Sequence, residues 1–440
     1  MIWIDLVVVL ACIVWGARLG GIGLGTVAAL GMCFFVFGLG RAPGNFPGEV
    51  LLIVLCVVTA AAALQAAGGL DLMVSVAEKV LRRHPRQITL LAPLISYLFT
   101  FVSGTGHVSY SLLPIIAEVS RKVKERPERP LSISVIASQA AVTASPMSAA
   151  TAGMVALFSK GGTFGLTDVL LICIPSTLIG VIAGALSVRK MGVELEDDPV
   201  YKQRLLRGEV ASDANVQAHA VPPGAKWSVL LFLGAVVLIT LLGLIPALRP
   251  DFTVDGKTEK LGMVGSISLV TLAATALMLI VSKVKPDLVV SSSVMRAGVV
   301  AVISILGIAW LGSTFFESHQ TEILGTISTH VQAHPWLFSF ALFVLSILLY
   351  SQAATVAALM GVGLQLGIAP PLLIAMFPAC NGYFFLPTYA TIVAAIQFDS
   401  TGTTGIGRWV LNHSFMRAGL VTTIVSISVG LIMAKVLYGS

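Results

Sequence analysis

Apolar runs near the ~20 residues needed to cross a bilayer recur along the whole chain. Residues 2–16, 21–40, 49–67, 131–158, 166–188, 227–247, 262–284, 297–314, 371–397 and 414–437 each read as one crossing. Soluble domains carry about a quarter charged residues, whereas this chain is 11% charged and 56% hydrophobic. Most of it must therefore avoid water, and the fold class expected is an all-α polytopic membrane protein. The first run has no basic residue before it and no small-residue cleavage site, so it reads as a retained span rather than a signal peptide. Cys12, Cys33, Cys56, Cys173 and Cys380 lie scattered through apolar segments with no CxxC and no His pairing. Packing accounts for them better than disulfides or a metal, and the sequence asks for no cofactor.

Two further apolar segments, 87–119 and 336–368, are too long for one crossing and are interrupted at their centres. They read as re-entrant hairpins that enter and leave on one side. Each follows an amphipathic stretch, GGLDLMVSVAEKVLRR at 69–84 and ESHQTEILGTISTHVQAH at 317–334, of the kind that lies along a membrane surface. With both hairpins returning and the N-terminus outside, 21 of the 27 Lys and Arg fall on the inside, as the positive-inside rule asks. The net charge of +6 thus serves topology and does not point to a nucleic acid. Both termini are then periplasmic. The halves repeat: the hairpin centres at Thr105 and Gln352 are 247 residues apart, and Pro146 and Pro387 are 241 apart. Five crossings per half is odd, so the second half is inverted. This gives residues 1–188 as a first inverted repeat, 189–226 as a charged cytoplasmic linker without assigned chemistry, and 227–440 as the second repeat. Inverted repeats with broken helices mark secondary transporters, whose site lies near the midplane.

Irregular backbone in the bilayer must face protein or a wet cavity. Four interruptions fit: Ser103-Gly104-Thr105-Gly106-His107, Ser145-Pro146-Met147-Ser148, Ser351-Gln352-Ala353-Ala354-Thr355 and Leu386-Pro387-Thr388-Tyr389. Glycine admits close backbone approach, and proline removes a donor and frees a carbonyl. Helix N-termini with free amides attract carboxylates, so two opposed tips suit a small molecule anionic at both ends. None of the four contains Lys or Arg; amides and hydroxyls must hold the anion. The candidate substrate-binding residues are Ser103, Gly104, Thr105, Gly106, His107, Ser145, Ser148, Ser351, Gln352, Thr355, Asn381, Thr388 and Thr391. Asn381 and Tyr383 in PACNGYFF have two readings: they line the second opening, or the Gly382 between them marks a kink. His107 has three readings: contact with substrate, carriage of a proton, or donation to a backbone carbonyl. Small polar residues also occur wherever membrane helices pack closely; four breaks in corresponding places favour a ligand site. Asp399, Arg408 and His413 read as solvated structural residues near the last inside loop, while Arg296 and Arg417 snorkel from span edges.

These residues carry a resemblance. GARLGGIGLG, LQAAGGLD at 64–71, GTGHVSYSLLPII at 104–116, RPERP at 126–130 and ASPMS at 144–148 resemble the Dcu family of anaerobic four-carbon dicarboxylate transporters of bacteria. IPSTLIG at 174–180, NGYFFLPTY at 381–389 and AAIQFDSTGTTGIGRWVLNHSF at 394–415 continue it in order along essentially the whole chain. The resemblance implies electroneutral exchange of fumarate, malate or aspartate against succinate across the bacterial inner membrane. It also implies a homodimer of elevator type, with a transport domain holding both hairpins and the amphipathic helices as its arms. Membrane lipid and the dicarboxylate are the partners expected. Some members carry Pro-Ser-Asp after LPTY where this chain has Ala390-Thr391-Ile392, which counts against a sensor-kinase partner. The resemblance also places the family in the wider ion-transporter superfamily, whose sodium-coupled carriers have Ser-Asn-Thr at their tips; the absence of Asn here favours exchange, while carbonyls freed by Pro146 or Pro387 leave a cation site open. A proton- or sodium-coupled dicarboxylate carrier remains the alternative. An intramembrane enzyme lacks its HExxH, GxSxG or paired aspartates. A channel would want a continuous polar stripe.

Overall fold

Uninterrupted apolar stretches satisfy their backbone internally as helix, and helices carry most of the chain. The computed structural model describes all residues except 1, 20–21, 45, 160–163, 211–221, 255–256, 320–321, 323–333, 350, 388, 408–410 and 440. In the first half the helices are α1 (Ile2–Leu19), α2 (Gly23–Cys33), α3 (Gly48–Ala66), α4 (Gly69–Arg83), α5 (Ile88–Ser103), α6 (Ser109–Lys122), α7 (Glu128–Ala144), α8 (Ala149–Ser159) and α9 (Leu166–Val188). The linker contributes α10 (Pro199–Leu206). The second half has α11 (Ala225–Leu244), α12 (Met263–Ser282), α13 (Pro286–Val290), α14 (Ser293–Ser318), α15 (Phe338–Leu349), α16 (Gln352–Thr355), α17 (Gly361–Gln365), α18 (Pro370–Met376), α19 (Ala390–Phe398) and α20 (Met416–Tyr438). A π-helical turn, Val356–Met360, joins α16 to α17.

Among the described residues seven helices are long and apolar enough to cross a bilayer, and eight if α3 and α4, bent by 67°, form one span. The protein is thus a multi-pass membrane protein built almost wholly of helix. Leucine and valine side chains of α11 and α12, such as Leu230, Val237, Leu269 and Leu277, stay exposed, as lipid-facing residues do. Alanine-rich α3 and α7 are buried instead, in one core with α8 and α18.

Both long interrupted segments double back. Near the start of α5, Thr89 donates to the Glu125 carboxylate just beyond α6, at 2.8 Å. Arg82 of α4 pairs with Glu118 of α6 at 3.0 Å. In the second half the Phe338 ring, at the start of α15, lies against Gly363 of α17.

The run 371–397 is broken near Pro387, as the sequence expects, and it is interrupted earlier as well: α18 gives way to a 3-10 run, Phe377–Phe384, and then to α19 after a break. Pro378 and Pro387 remove the donors a longer helix needs. Within this all-α fold one small hairpin occurs: Asp251–Val254 pairs antiparallel with Lys257–Lys260, Asp251 opposite Lys260. Asp399 is not solvated; at 2% exposure it accepts from the Thr401 and Thr404 N–H groups at 2.9 and 2.7 Å and from the Thr403 hydroxyl at 2.9 Å. The stretch 317–334 lies mostly outside the described residues. The described part of the linker docks on the helices: Arg126 pairs with Asp198 and Glu128, Arg129 with Glu194 at 3.0 Å, and Arg204 donates to the Ser400 carbonyl at 3.3 Å.

Candidate functional site

The first turn begins where α5 stops. Gly104 adopts φ +74 and donates its N–H to the Thr100 carbonyl at 2.8 Å. A Cβ there would collide with the Met147 carbonyl oxygen, so glycine meets both a left-handed backbone and a close approach. Met147 belongs to the gap between α7 and α8. That gap opens because Ser145, preceding Pro146, is driven to an extended conformation (φ −82, ψ 126). The Ser145 hydroxyl then donates to the Phe101 carbonyl at 2.6 Å, so turn and gap are stitched from both sides. Ser148 caps α8 by accepting the Thr151 N–H at 3.0 Å.

The second turn uses a serine cap as well. Ser351 is extended and accepts the Ala354 N–H at 3.2 Å, and the Thr355 hydroxyl donates to its carbonyl at 2.8 Å. This capping places Gln352 at the head of the helical run, with its side chain aimed inward. Its Nε2 donates to the Gln139 backbone carbonyl at 2.8 Å, to the Tyr383 hydroxyl at 3.1 Å, and to Asn381 Oδ1. The Tyr383 hydroxyl donates in turn to Gln139 Oε1. Gln139 Nε2 donates to Thr391 of α19 at 3.3 Å. From the other turn, a Cβ on Gly106 would lie 2.8 Å from both polar atoms of the Gln139 amide. Both turns therefore meet on one residue of α7.

The structure brings Gly106, Gln352, Asn381 and Thr391 together around Gln139. The hydroxyls of Ser103, Ser145, Ser148, Ser351 and Thr355 are engaged locally instead: Ser103 donates to the Phe99 carbonyl at 2.8 Å, and the others shape turns and caps. Thr105 stands next to this cluster, its carbonyl accepting from Ser103 at 3.3 Å. Thr388 and the His107 side chain lie outside the described residues. Gln139 is the residue that the sequence reading missed. Its only signal is one long polar side chain in the otherwise apolar and small-residue run LSISVIASQAAVTA.

Among the described residues, the side chains joined in this cluster are all neutral, and Gln139, Gln352 and Asn381 are 5%, 5% and 7% exposed. Beside it is a cavity of about 10 Å³ lined by residues that include Gln139, Asn381, Tyr383, Thr422 and Ser426, the size of a single water. A larger cavity of about 630 Å³ lies between α3, α14 and α17. Its walls are apolar, and its ionisable residues are Glu49 and Glu317, which repel an anion. Of the two, the small neutral cluster sets no charge against an anion and is the candidate site; closed on itself, it would have to open to admit one.

A family model described as anaerobic C4-dicarboxylate membrane transporter matches residues 1–438. The C4-dicarboxylate transporter DcuA of Wolinella succinogenes is 40% identical over 445 residues, covering 99% of this chain and 100% of that protein. The anaerobic C4-dicarboxylate transporter DcuB of Escherichia coli O157:H7 is 40% identical, with 99% of each chain covered. The C4-dicarboxylate transporter DcuA of Escherichia coli K12 is 40% identical over 438 residues, again with 99% of each covered.

Proposed function

The chain belongs to the anaerobic C4-dicarboxylate membrane transporter family, a family of transporters and not of enzymes, and from that premise we propose that it exchanges four-carbon dicarboxylates by alternating access. Fumarate, malate or aspartate would move against succinate across the bacterial inner membrane. The observation that carries this reading is the convergence of both turns on Gln139. Each turn ends one helix and starts the next inside the protein, and the first N–H groups of the helix that starts face neutral side chains, where a carboxylate would be held by hydrogen bonds alone. An anion held without a cation is released readily, which suits exchange.

The wider architecture belongs to the same proposal. Ten crossings follow if α1, α2 with the π-helical turn Phe34–Gly38 that continues it, α3 and the broken pair α18–α19 each traverse the bilayer beside the longer spans. The two doubled-back segments are then re-entrant hairpins, the halves are inverted repeats, and a body holding both hairpins moves as an elevator within a homodimer. Correspondence between the gap at 145–148 and that at 385–389 supports the repeat.

The test is counterflow in proteoliposomes. Vesicles loaded with succinate accumulate labelled fumarate, and empty vesicles do not. Equal uptake by loaded and empty vesicles would overturn exchange, and no uptake of any four-carbon dicarboxylate would overturn the assignment of substrate.

A further inference from the structure

Gln352 Oε1 is a buried acceptor that meets no donor among the described residues. The orientation of this amide is settled by its neighbours. Nε2 faces the Gln139 backbone carbonyl at 2.8 Å, and a carbonyl only accepts, so the oxygen must occupy the opposite corner. Buried polar atoms in native proteins nearly all find a partner, and an exception signals a water or a ligand. The surrounding chemistry sharpens the choice. Asn381 Oδ1 and Gln139 Oε1 already take the donors of Gln352 and Tyr383, and each keeps a second lone pair. Acceptors are thus in excess here, whereas the two turns supply the donors that carboxylates want.

A four-carbon dicarboxylate held by its carboxylates at the two turns presents its middle carbons to this spot. Resting on the transport reading above, we infer that Gln352 Oε1 accepts a hydrogen bond from a donor on C2 of the substrate. The chain therefore selects 2-amino dicarboxylates first, 2-hydroxy dicarboxylates next, and the unsubstituted acid last. The order follows from bond strength: an ammonium gives a charge-assisted bond, a hydroxyl a neutral one. Succinate carries only C–H groups there and leaves the acceptor unpaired.

The experiment is competition against labelled fumarate in counterflow by the full chain in proteoliposomes, with aspartate, malate and succinate as inhibitors. Aspartate is expected to compete at least about tenfold more tightly than succinate, with malate between them. Gln352→Met keeps the length and loses the acceptor, and it should collapse that ratio. Gln352→Glu supplies a charged acceptor and should widen it. A wild type that takes succinate as tightly as aspartate overturns the inference while leaving transport standing, and this readout needs no variant to fold. Ratios unchanged in both folded variants also overturn it, and assign Oε1 to a water. Failure of all three acids to compete, or of fumarate to move, overturns the transport reading itself.

Discussion

Gly104 and Gln139 show what single residues contribute and how differently they can be read. Glycine at 104 announces itself in SGTGH, and the structure gives the reason in a left-handed φ of +74 and the Met147 carbonyl beside it. Gly104→Ala would cost roughly 1–2 kcal/mol in backbone strain alone, plus the collision. We expect it to abolish counterflow and lower the melting temperature in detergent, whereas Gly234→Ala, with nothing near its Cβ, should behave as wild type. An active, stable Gly104→Ala protein would remove the turn from the mechanism. Gln139 was illegible because a lone polar residue in a membrane helix looks the same whether it packs, bonds a neighbour or organises a site. Only three-dimensional contact with both turns distinguishes it. Its support from Tyr383 is testable: Tyr383→Phe deletes the hydroxyl that serves Gln139 Oε1, leaving a buried acceptor short of a donor. A loss of roughly 1–3 kcal/mol in substrate affinity should follow, read as a rise in the half-saturation concentration for fumarate. Affinity matching wild type would mean that the amide orients itself.

At the scale of elements, the punctuation of the sequence located the breaks well. Ser145-Pro146 and Ser351-Gln352 end and start helices as their residue types dictate. In 371–397 the break at Pro387 was legible, while the 3-10 run Phe377–Phe384 ahead of it was not, because one proline in an apolar run marks a kink as readily as a change of helix type. The hydroxyls near the breaks were legible as positions but not as roles, because serine bonds its own turn as readily as it bonds a ligand. The linker hid its docking for a related reason, since ion pairs between distant segments leave no periodic trace. Burial alone would raise the Asp198 carboxyl; the Tyr201 and Val200 N–H groups and the Arg126 guanidinium outweigh it and hold the group below its ordinary value. A carboxyl depressed in the fold contributes stability that is complete above its unfolded value, near 3.9, and is lost as the pH falls through the folded one. Asp198→Asn should therefore melt below the wild type at neutral pH, with the gap closing toward about pH 3 or lower. No gap at neutral pH would show that the side chain acts only as the cap of α10, a role asparagine fills equally well.

The whole molecule is arranged by charge and by where chains can turn. Basic residues concentrate beside the doubled-back segment of the first half and in the linker, and the same face carries the Arg126, Asp198 and Arg129, Glu194 pairs. The small β-hairpin at 251–260 follows the first long helix after that linker, so one crossing separates it from the linker face. If α11 crosses the membrane, Lys202 and Lys260 lie on opposite sides of it. Both side chains are accessible, at 57% and 39% exposure, and neither is part of the polar cluster. Lys260→Cys should react with a membrane-impermeant maleimide in intact cells, and Lys202→Cys only after permeabilisation. The five native cysteines are first replaced, of which Cys56, Cys173 and Cys380 are buried. Labelling Lys79→Cys beside Lys124→Cys in the same experiment tests the returning hairpin, because the two residues flank 87–119 and Lys124, which pairs with Glu196 of the linker at 2.5 Å, shares the linker's side. Lys79→Cys reacting from outside while Lys124→Cys does not would break the hairpin, and with it the inverted repeat. If Lys79→Cys, Lys124→Cys and Lys202→Cys share one side and Lys260→Cys the other, crossings by α12 and α14 return the second hairpin to the side of Lys260, and the two turns reach the cluster around Gln139 from opposite faces, the arrangement alternating access requires.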